Sequence, residues 1–327
     1  MSAPRILVTG GAGYIGSHAC KALAAKGFEP VTVDNLSRGN RWAVKWGPLE
    51  KGDISDSRRL RQILDFYQPC AVMHFAAFAY VGESMENPLL YYQNNVGGSA
   101  ALLYAIVESR VIPVVFSSTC ATYGIPESIP IPEEHPQRPV NPYGYSKLVI
   151  ERILADVGEV HGLRSVSLRY FNAAGADPDR EIGEAHDPEP HLIPRILAAA
   201  RDGTAVTVYG DDYDTADGTC IRDYIHVSDI ADAHVRALDY LLSDGTSCAL
   251  NLANARGYSV MDVIQAAQQV TGKTLRIENR PRRPGDPPVL VGSSERARAV
   301  LGWTPQRPAL ETQMADAWNW MQKGPPR

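Results

Sequence analysis

A chain of 327 residues, 44% hydrophobic and 21% charged, is long enough for one large domain or two ordinary ones and has an average globular composition. A formal net charge of −5 and short basic runs (Arg58-Arg59 with Arg61, and Arg280 to Arg283) argue against a nucleic-acid surface. No apolar stretch reaches the roughly 18 residues of a membrane span, and the start carries no signal-peptide core, so no membrane partner is expected.

The five cysteines, Cys20, Cys70, Cys120, Cys220 and Cys248, are odd in number and widely spaced. They read as reduced thiols of a cytoplasmic protein, and no Cys-x-x-Cys pair or Cys/His cluster marks a zinc site. No metal is expected.

Arg5-Ile-Leu-Val-Thr9 reads as a buried strand, and Tyr14 to Lys26 as the helix after it. Between them lies Gly10-Gly-Ala-Gly13-Tyr-Ile-Gly16. One glycine permits the tight turn, one lets backbone approach a pyrophosphate, and one allows close helix–sheet packing. The helix N-terminus beyond offers free N–H groups to the phosphates. Pro30-Val-Thr-Val-Asp34 is the next strand, and Asp34 falls 18 residues after Gly16, a spacing suited to gripping a ribose 2′-hydroxyl. A carboxylate there repels a 2′-phosphate, which favours NAD over NADP, although Arg38 is close by. Asp53-Ile54 follows a short strand, where Asp53 either meets an adenine edge or caps the helix from Ser57 to Tyr67.

Cys70 to Phe75 is the next strand, and Phe75-Ala76-Ala77 ends it at the carboxyl edge, where cofactors bind in such sheets. A helix over Asn94 to Glu108 and a strand over Ile112 to Ser117 follow. Ser117-Ser118-Thr119 ends that strand with hydroxyls able to shuttle a proton or hold a substrate oxygen; at least one of the three is simply a polar strand end. The helix from Tyr143 to His161 opens with Tyr143-Gly-Tyr-Ser-Lys147, whose phenol and ammonium share a face at this spacing. A nearby cation favours the phenolate, and a tyrosine so tuned takes a proton from an alcohol while hydride leaves for a cofactor. Arg164 to Arg169 completes the obvious strands. Strands alternating with helices give a doubly wound parallel α/β sheet.

Beyond Asn172 the chain is rich in Gly, Pro and Asp, and it reads as a smaller mixed lobe. That lobe holds a helix at Leu192 to Arg201, a strand at Val206 to Tyr209 and a helix at Val260 to Thr271. The helix from Ser228 and the strand Cys248 to Leu252 return to the first sheet. The expected division is residues 1–171 with 223–253 for the dinucleotide, and 172–222 with 254–327 for the substrate.

Several motifs are specific: Thr9-Gly-Gly-Ala-Gly-Tyr-Ile-Gly16, Val81-Gly-Glu-Ser84, Tyr91-Tyr-Gln-Asn-Asn-Val96, Pro142-Tyr-Gly-Tyr-Ser-Lys147, Arg169-Tyr-Phe-Asn172, Arg222-Asp-Tyr-Ile-His-Val227 and Pro281-Arg-Arg-Pro-Gly-Asp286. With them the chain, from Arg5 to about Trp303, resembles the UDP-glucose 4-epimerases of the extended short-chain dehydrogenase/reductase superfamily, which share a Rossmann fold. The resemblance implies Tyr143 as base, Lys147 as its electrostatic partner and ribose ligand, and Thr119 as the active-site hydroxyl. It implies NAD held by the glycine loop together with Tyr14, Ile15, Asp34, Asn35, Asp53, Ile54, Phe75, Ala77, Asn94 and Phe171. A UDP-sugar falls to Asn172, Leu192, Tyr209, Arg222, Arg283 and Asp286. The two arginines suit a diphosphate, since each guanidinium bonds two oxygens at once.

Three positions depart from the family pattern. Ala79 replaces a frequent lysine near the cofactor, and His191 a frequent asparagine before Leu192. Leu290 is intermediate between a bulky residue that restricts some members to plain hexoses and a small one that admits N-acetyl sugars. The resemblance implies reversible C4 inversion of UDP-glucose and UDP-galactose, with UDP-N-acetylhexosamines or UDP-xylose and UDP-arabinose as alternatives. A 4,6-dehydratase is disfavoured because Cys120-Ala121, not an acidic pair, follows Thr119. A dead NAD-sensing scaffold is disfavoured because Tyr143 and Lys147 are both present. The resemblance also implies a homodimer, paired through the Asn94–Glu108 and Tyr143–His161 helices.

Overall fold

The computed structural model describes residues 3–283 and 286–326. In chain order β1 (Arg5–Thr9), α1 (Tyr14–Ala25), β2 (Glu29–Asp34), β3 (Leu49–Lys51), α2 (Ser57–Tyr67) and β4 (Ala71–His74) come first. The short α3 (Val81–Glu86) and α4 (Pro88–Tyr91) precede α5 (Gly98–Ser109), β5 (Val114–Thr119), α6 (Pro142–His161) and β6 (Ser165–Tyr170). Then come β7 (Asn172–Ala174), α7 (Leu192–Asp202), β8 (Ala205–Tyr209), β9 (Ile221–His226), α8 (Val227–Leu242) and β10 (Cys248–Leu252). The last are β11 (Gly257–Ser259), α9 (Val260–Thr271), β12 (Arg276–Arg280), β13 (Val289–Leu290), α10 (Glu295–Leu301) and α11 (Leu310–Lys323).

Seven strands form one parallel sheet in the order β10-β6-β5-β4-β1-β2-β3, the expected doubly wound arrangement. Side chains alternate along each strand. Ile6, Val8, Met73, Val115 and Leu168 therefore pack beneath α1 and α8, while Leu7, Val31, Val72, Val114 and Phe116 pack beneath α2, α5 and α6. Covered on both faces, the central strands are apolar throughout, as parallel sheets require. The winding reverses between β1 and β4, and the crevice at their carboxyl ends is where ligands lodge in such sheets.

A second core, with Ile193, Ile196, Leu197, Val208, Val263 and Met314, lies among α7, α9 and α11. β8 pairs in parallel with β12. β9, which straddles the expected boundary between residues 222 and 223, pairs with β7, β11 and β13 in a separate small sheet. Conversely Ala297, Leu301 and Trp303 of the late chain pack into the core under α8, where the Trp303 indole donates to the Asp229 carbonyl. A hydrophobic pattern shows that a segment is buried, not which core buries it. The segment before α5 also differs from the expected helix, because residues 92–97 form a π-turn. Asn94, Asn95, Gly97 and Gly98 hold the α-helical ladder weakly, and π-turns cluster at functional sites. No described helix is long and apolar enough to cross a membrane.

Candidate active site

The glycine turn is shaped by what its neighbours leave no room for. Gly10 has φ of +73°, and a Cβ there would lie 2.6 Å from the Ala76 nitrogen. A Cβ at Gly16 would lie 2.2 Å from the Gly10 oxygen, so α1 can seat on the turn only with glycine there. Gly13 differs, since its Cβ would meet only the Gly10 oxygen at 3.3 Å. The open side of Gly13 is free for a ligand's approach. No side chain caps α1, and among the described residues the N–H groups of Tyr14 and Ile15 find no backbone carbonyl. Unpaired donors at a helix N-terminus suit a pyrophosphate, so the cradle fits a dinucleotide. The Tyr14 side chain itself turns away and donates to the Gly175 carbonyl at 2.6 Å.

Asp34 is buried, accepting from Leu36 N–H at 2.8 Å and Ala12 N–H at 3.1 Å. Burial raises its pKa, and the two N–H groups pull it back. Arg38 does not compensate this acid. Its guanidinium pairs with Glu83 at 2.5 Å and lies over the rings of Phe78 and Tyr80, so the preference for NAD over NADP holds. Asn35 donates to Asp53 at 2.7 Å. Asp53 does not cap α2; Asp56 does, accepting from Arg59 N–H at 3.0 Å. Asp53 is bonded instead by Ser55, which holds its carboxyl below the usual range. Ile54 is buried against Gly98. At the end of β4, Phe75 packs on His234, and the backbone N–H groups of Phe75 and Ala76 both donate to the Thr9 carbonyl. Ala77, partly buried, comes next. Asn94 donates to Asn95, and Asn95 bonds both Phe78 backbone groups and Ser146. The Phe171 ring abuts Gly292, where a Cβ would lie 2.3 Å from it.

Catalytic candidates meet where α6 abuts the end of β5. Asn141 caps α6 by accepting from Gly144 N–H at 2.8 Å. A Cβ at Gly144 would lie 2.4 Å from the Ala121 oxygen, so glycine there lets the first turn press against the loop after β5. This contact brings the Tyr143 phenol close to Thr119. The strand period turns Ser118 away, where it donates to Glu151 at 2.5 Å, and Ser117, on the same face as Thr119, is taken up by the Tyr170 hydroxyl. Thr119 alone is left beside Tyr143.

The Tyr143–Lys147 spacing suggests that the ammonium lowers the phenol; against it works burial, which pushes Tyr143 up to about 12, with Thr119 pulling it down. Lys147 is buried and donates to the Ser117 carbonyl at 2.7 Å, above the Phe116 ring. Burial pushes it down to about 7, opposed by Glu151. A low-dielectric pocket disfavours the charge on each group. Sequence reasoning missed His74, which bridges Thr9 at 2.7 Å and Ser99 at 2.8 Å beneath this site. Burial lowers it to about 3. A histidine inside an apolar strand is its only signal.

Substrate candidates gather around β9. Asn172 donates to the Asp223 carbonyl at 2.9 Å. Arg222 pairs with Asp286, and Arg283 lies 3.8 Å from the same carboxylate and over the Tyr209 ring. Asp286 thus serves the two arginines directly. Pro284 and Gly285 of this motif lie outside the described residues. Leu290 is half-buried on β13 and aligned with Arg222 across the sheet. Leu192 opens α7, with His191 as its N-cap and paired with Glu184. Ala79 is exposed.

Comparison with known proteins gives a consistent result. Residues 6–253 match the NAD dependent epimerase/dehydratase family. The chain is 54% identical over 318 residues to a UDP-glucose 4-epimerase of Rhizobium meliloti, covering 96% of each. It is similar to the crystal structure of UDP-glucose 4-epimerase from Brucella ovis in complex with NAD, with 51% identity, a TM-score of 0.95, and 97% and 98% of the two chains covered. A UDP-Glc/GlcNAc 4-epimerase from Campylobacter jejuni is also similar, at 38% identity and a TM-score of 0.85, with 98% and 100% covered.

Proposed function

This chain belongs to the NAD dependent epimerase/dehydratase family, and from that premise we propose that it inverts C4 of UDP-sugars, interconverting UDP-glucose and UDP-galactose through a 4-keto intermediate. The meeting of Tyr143, Thr119 and Lys147 at the carboxyl end of β5 carries this reading. NAD, when bound, supplies a nicotinamide whose positive charge favours the phenolate and whose C4 takes hydride from the sugar and returns it. Tyr143 accepts the 4-hydroxyl proton as the alcohol is oxidised, and gives it back when the ketone is reduced on its other face. Thr119 shares that proton's hydrogen bond and orients the sugar oxygen. Lys147, fixed by Ser117, holds the ribose and the local potential. Gly10, Gly13 and Gly16 with the N–H groups of Tyr14 and Ile15 cradle the pyrophosphate, and Asp34 takes the ribose hydroxyls. Asn35, Asp53 and Ile54 border the adenine, while Phe75, Ala77, Asn94 and Phe171 line the remaining cofactor wall.

Asn172, Leu192, Tyr209, Arg222, Arg283 and Asp286 hold the UDP-sugar. We take residues 1–171 with 223–253 as the cofactor lobe and 172–222 with 254–327 as the substrate lobe, the latter docking back through 295–303. Dehydration is disfavoured because Cys120 follows Thr119, and burial pushes its thiol up to about 12, too high for acid–base work. Leu290 and the similarity to the Campylobacter jejuni protein support N-acetylated substrates as a second activity. The protein works as a cytoplasmic homodimer in galactose metabolism. Exposed Leu89, Tyr104, Tyr145 and Val160 on α4, α5 and α6 support pairing through those helices. Purified protein given UDP-galactose without added NAD is expected to form UDP-glucose with no net NADH. A 4-keto-6-deoxy product, or no turnover of any UDP-sugar, overturns the reading. UDP-N-acetyl sugars and UDP-xylose in the same assay define the range, and light scattering tests the dimer.

A further inference from the structure

The loop between β7 and α7 carries two Glu-x-His units, Glu184-x-His186 and Glu189-x-His191. Their side chains converge so that one donor atom from each lies within 4.8 Å of all the others. His186 Nδ1 stands 3.0 Å from Glu184 Oε1 and 3.6 Å from Glu189 Oε2. His191 Nδ1 stands 3.4 Å from Glu189 Oε1 and also contacts Glu184 Oε1. Four ligands on a tetrahedral ion, with bonds of about 2.0–2.1 Å, stand about 3.3 Å apart. The histidine–carboxylate separations of 3.0, 3.4 and 3.6 Å bracket that spacing.

A second observation points the same way. His186 Nδ1 is closed off from solvent and makes no hydrogen bond of acceptable geometry, although Glu184 is close. The nitrogen faces another imidazole, and two carboxylates at ion-pair distance, without an aligned hydrogen bond to any of them. The ligands are also held in place from outside. The Tyr80 ring stands edge-on to both imidazoles, at 5.6 and 6.2 Å, and the Tyr14 ring edge-on to His186 at 6.4 Å. The Trp320 indole donates to the Glu184 carbonyl at 2.9 Å.

We propose that Glu184, His186, Glu189 and His191 form a binding site for a divalent transition-metal cation of the zinc type. Imidazole with carboxylate suits zinc better than calcium or magnesium, which prefer oxygen alone. Four protein ligands close a tetrahedral sphere, so the ion is structural. It pins the β7–α7 loop beside the glycine turn and fixes the start of α7 at Leu192. A spacing search keyed to cysteine passes over this cluster. The competing arrangement is a ring of ion pairs between protonated histidines and the same acids.

The test uses the full chain with its cofactor, stripped with a chelator and titrated with Zn²⁺ or Co²⁺ alone. Metal content is counted after gel filtration, and Co²⁺ is read by its visible spectrum. Expected are one equivalent per chain and the intense band of tetrahedral Co²⁺. Affinity is expected to fall at least about tenfold in His186→Gln and in Glu189→Gln, taking the loss of a ligand's supporting partner as the minimum. The proposal fails if no stoichiometric metal is retained, if Co²⁺ gives only the weak octahedral band, or if binding survives in the His186→Gln/Glu189→Gln double variant. Where a variant misfolds, the Co²⁺ spectrum of the unaltered protein decides alone.

Discussion

The glycine turn and the cluster around Arg222 are both proposed to hold phosphate, and they are built by opposite means. In the turn, the donors are backbone N–H groups, and their directions are set by side chains that are missing: a Cβ at Gly10 or Gly16 would collide with backbone. Around Arg222 the donors are guanidinium groups at the ends of long side chains, directed by the shared carboxylate of Asp286. Backbone geometry is fixed once the strand and helix form. Guanidinium geometry depends on ion pairs that can be re-formed in other ways. The first region should therefore fail abruptly when altered, and the second by degrees.

The largest effect is expected between the two, at the reacting atoms. Tyr143→Phe removes the phenol beside Thr119. Turnover should fall about 10²–10⁴-fold, the usual contribution of a positioned acid or base, with NAD content unchanged. Loss of NAD from this variant would show that Tyr143 helps build the cofactor site instead. Next come the glycines. Gly16→Ala is expected to cost about 1–3 kcal/mol of stability, the range for overpacking, and to release NAD. Gly13→Ala should leave thermal stability nearly unchanged but weaken NAD retention, since its Cβ would meet protein only at the Gly10 oxygen, 3.3 Å away, and would otherwise fill the open side. Equal melting temperatures for the two variants would remove the distinction between them.

The same contrast explains what is legible in the sequence alone. Strand and helix order, the parallel sheet and the Gly10–Gly16 turn follow from periodicity and fixed spacing, and α2 spans the expected Ser57 to Tyr67. Tyr143 and Lys147 are legible as a pair, but not their electrostatics. Burial depends on how α6 leans on Ala121, which no local pattern encodes. The roles of Ser117, Ser118 and Thr119 need the strand's facing. The pairing of Asp286 with Arg222 joins residues far apart in the chain. The docking of Trp303 under α8 is likewise a tertiary choice that leaves no periodic trace.

Arg283→Ala tests the gradual side of the comparison. Its guanidinium is largely exposed, over Tyr209 and near Asp286. Losing one charged hydrogen-bonding group should raise KM for a UDP-sugar roughly tenfold, with kcat and NAD content kept. A fall in kcat alone would place Arg283 at the transition state rather than in uniform binding.

The smallest expected effect lies at Asp223, next to Arg222 on β9. Its carboxylate accepts Asn254 N–H at 2.9 Å and lies 3.4 Å from Gly292 N, and burial pushes its pKa up to about 7. An acid raised in the native state binds a proton more tightly when folded. Its contribution to stability is complete below the unfolded pKa of about 3.9 and is lost as pH rises through about 7. An asparagine at this position fixes the neutral form. The Asp223→Asn variant should therefore lack that part of the decline between about pH 4 and 7 seen in the parent. A difference on the order of 1 kcal/mol would move Tm by roughly 2 °C in a chain of this size. Asp34 is also buried and also bonded by two N–H groups, and burial raises it in the same direction. Its backbone donors, Leu36 at 2.8 Å and Ala12 at 3.1 Å, stabilise the anion and oppose that rise. If Asp34→Asn and Asp223→Asn changed the pH dependence equally, the stronger rise assigned to Asp223 would fall.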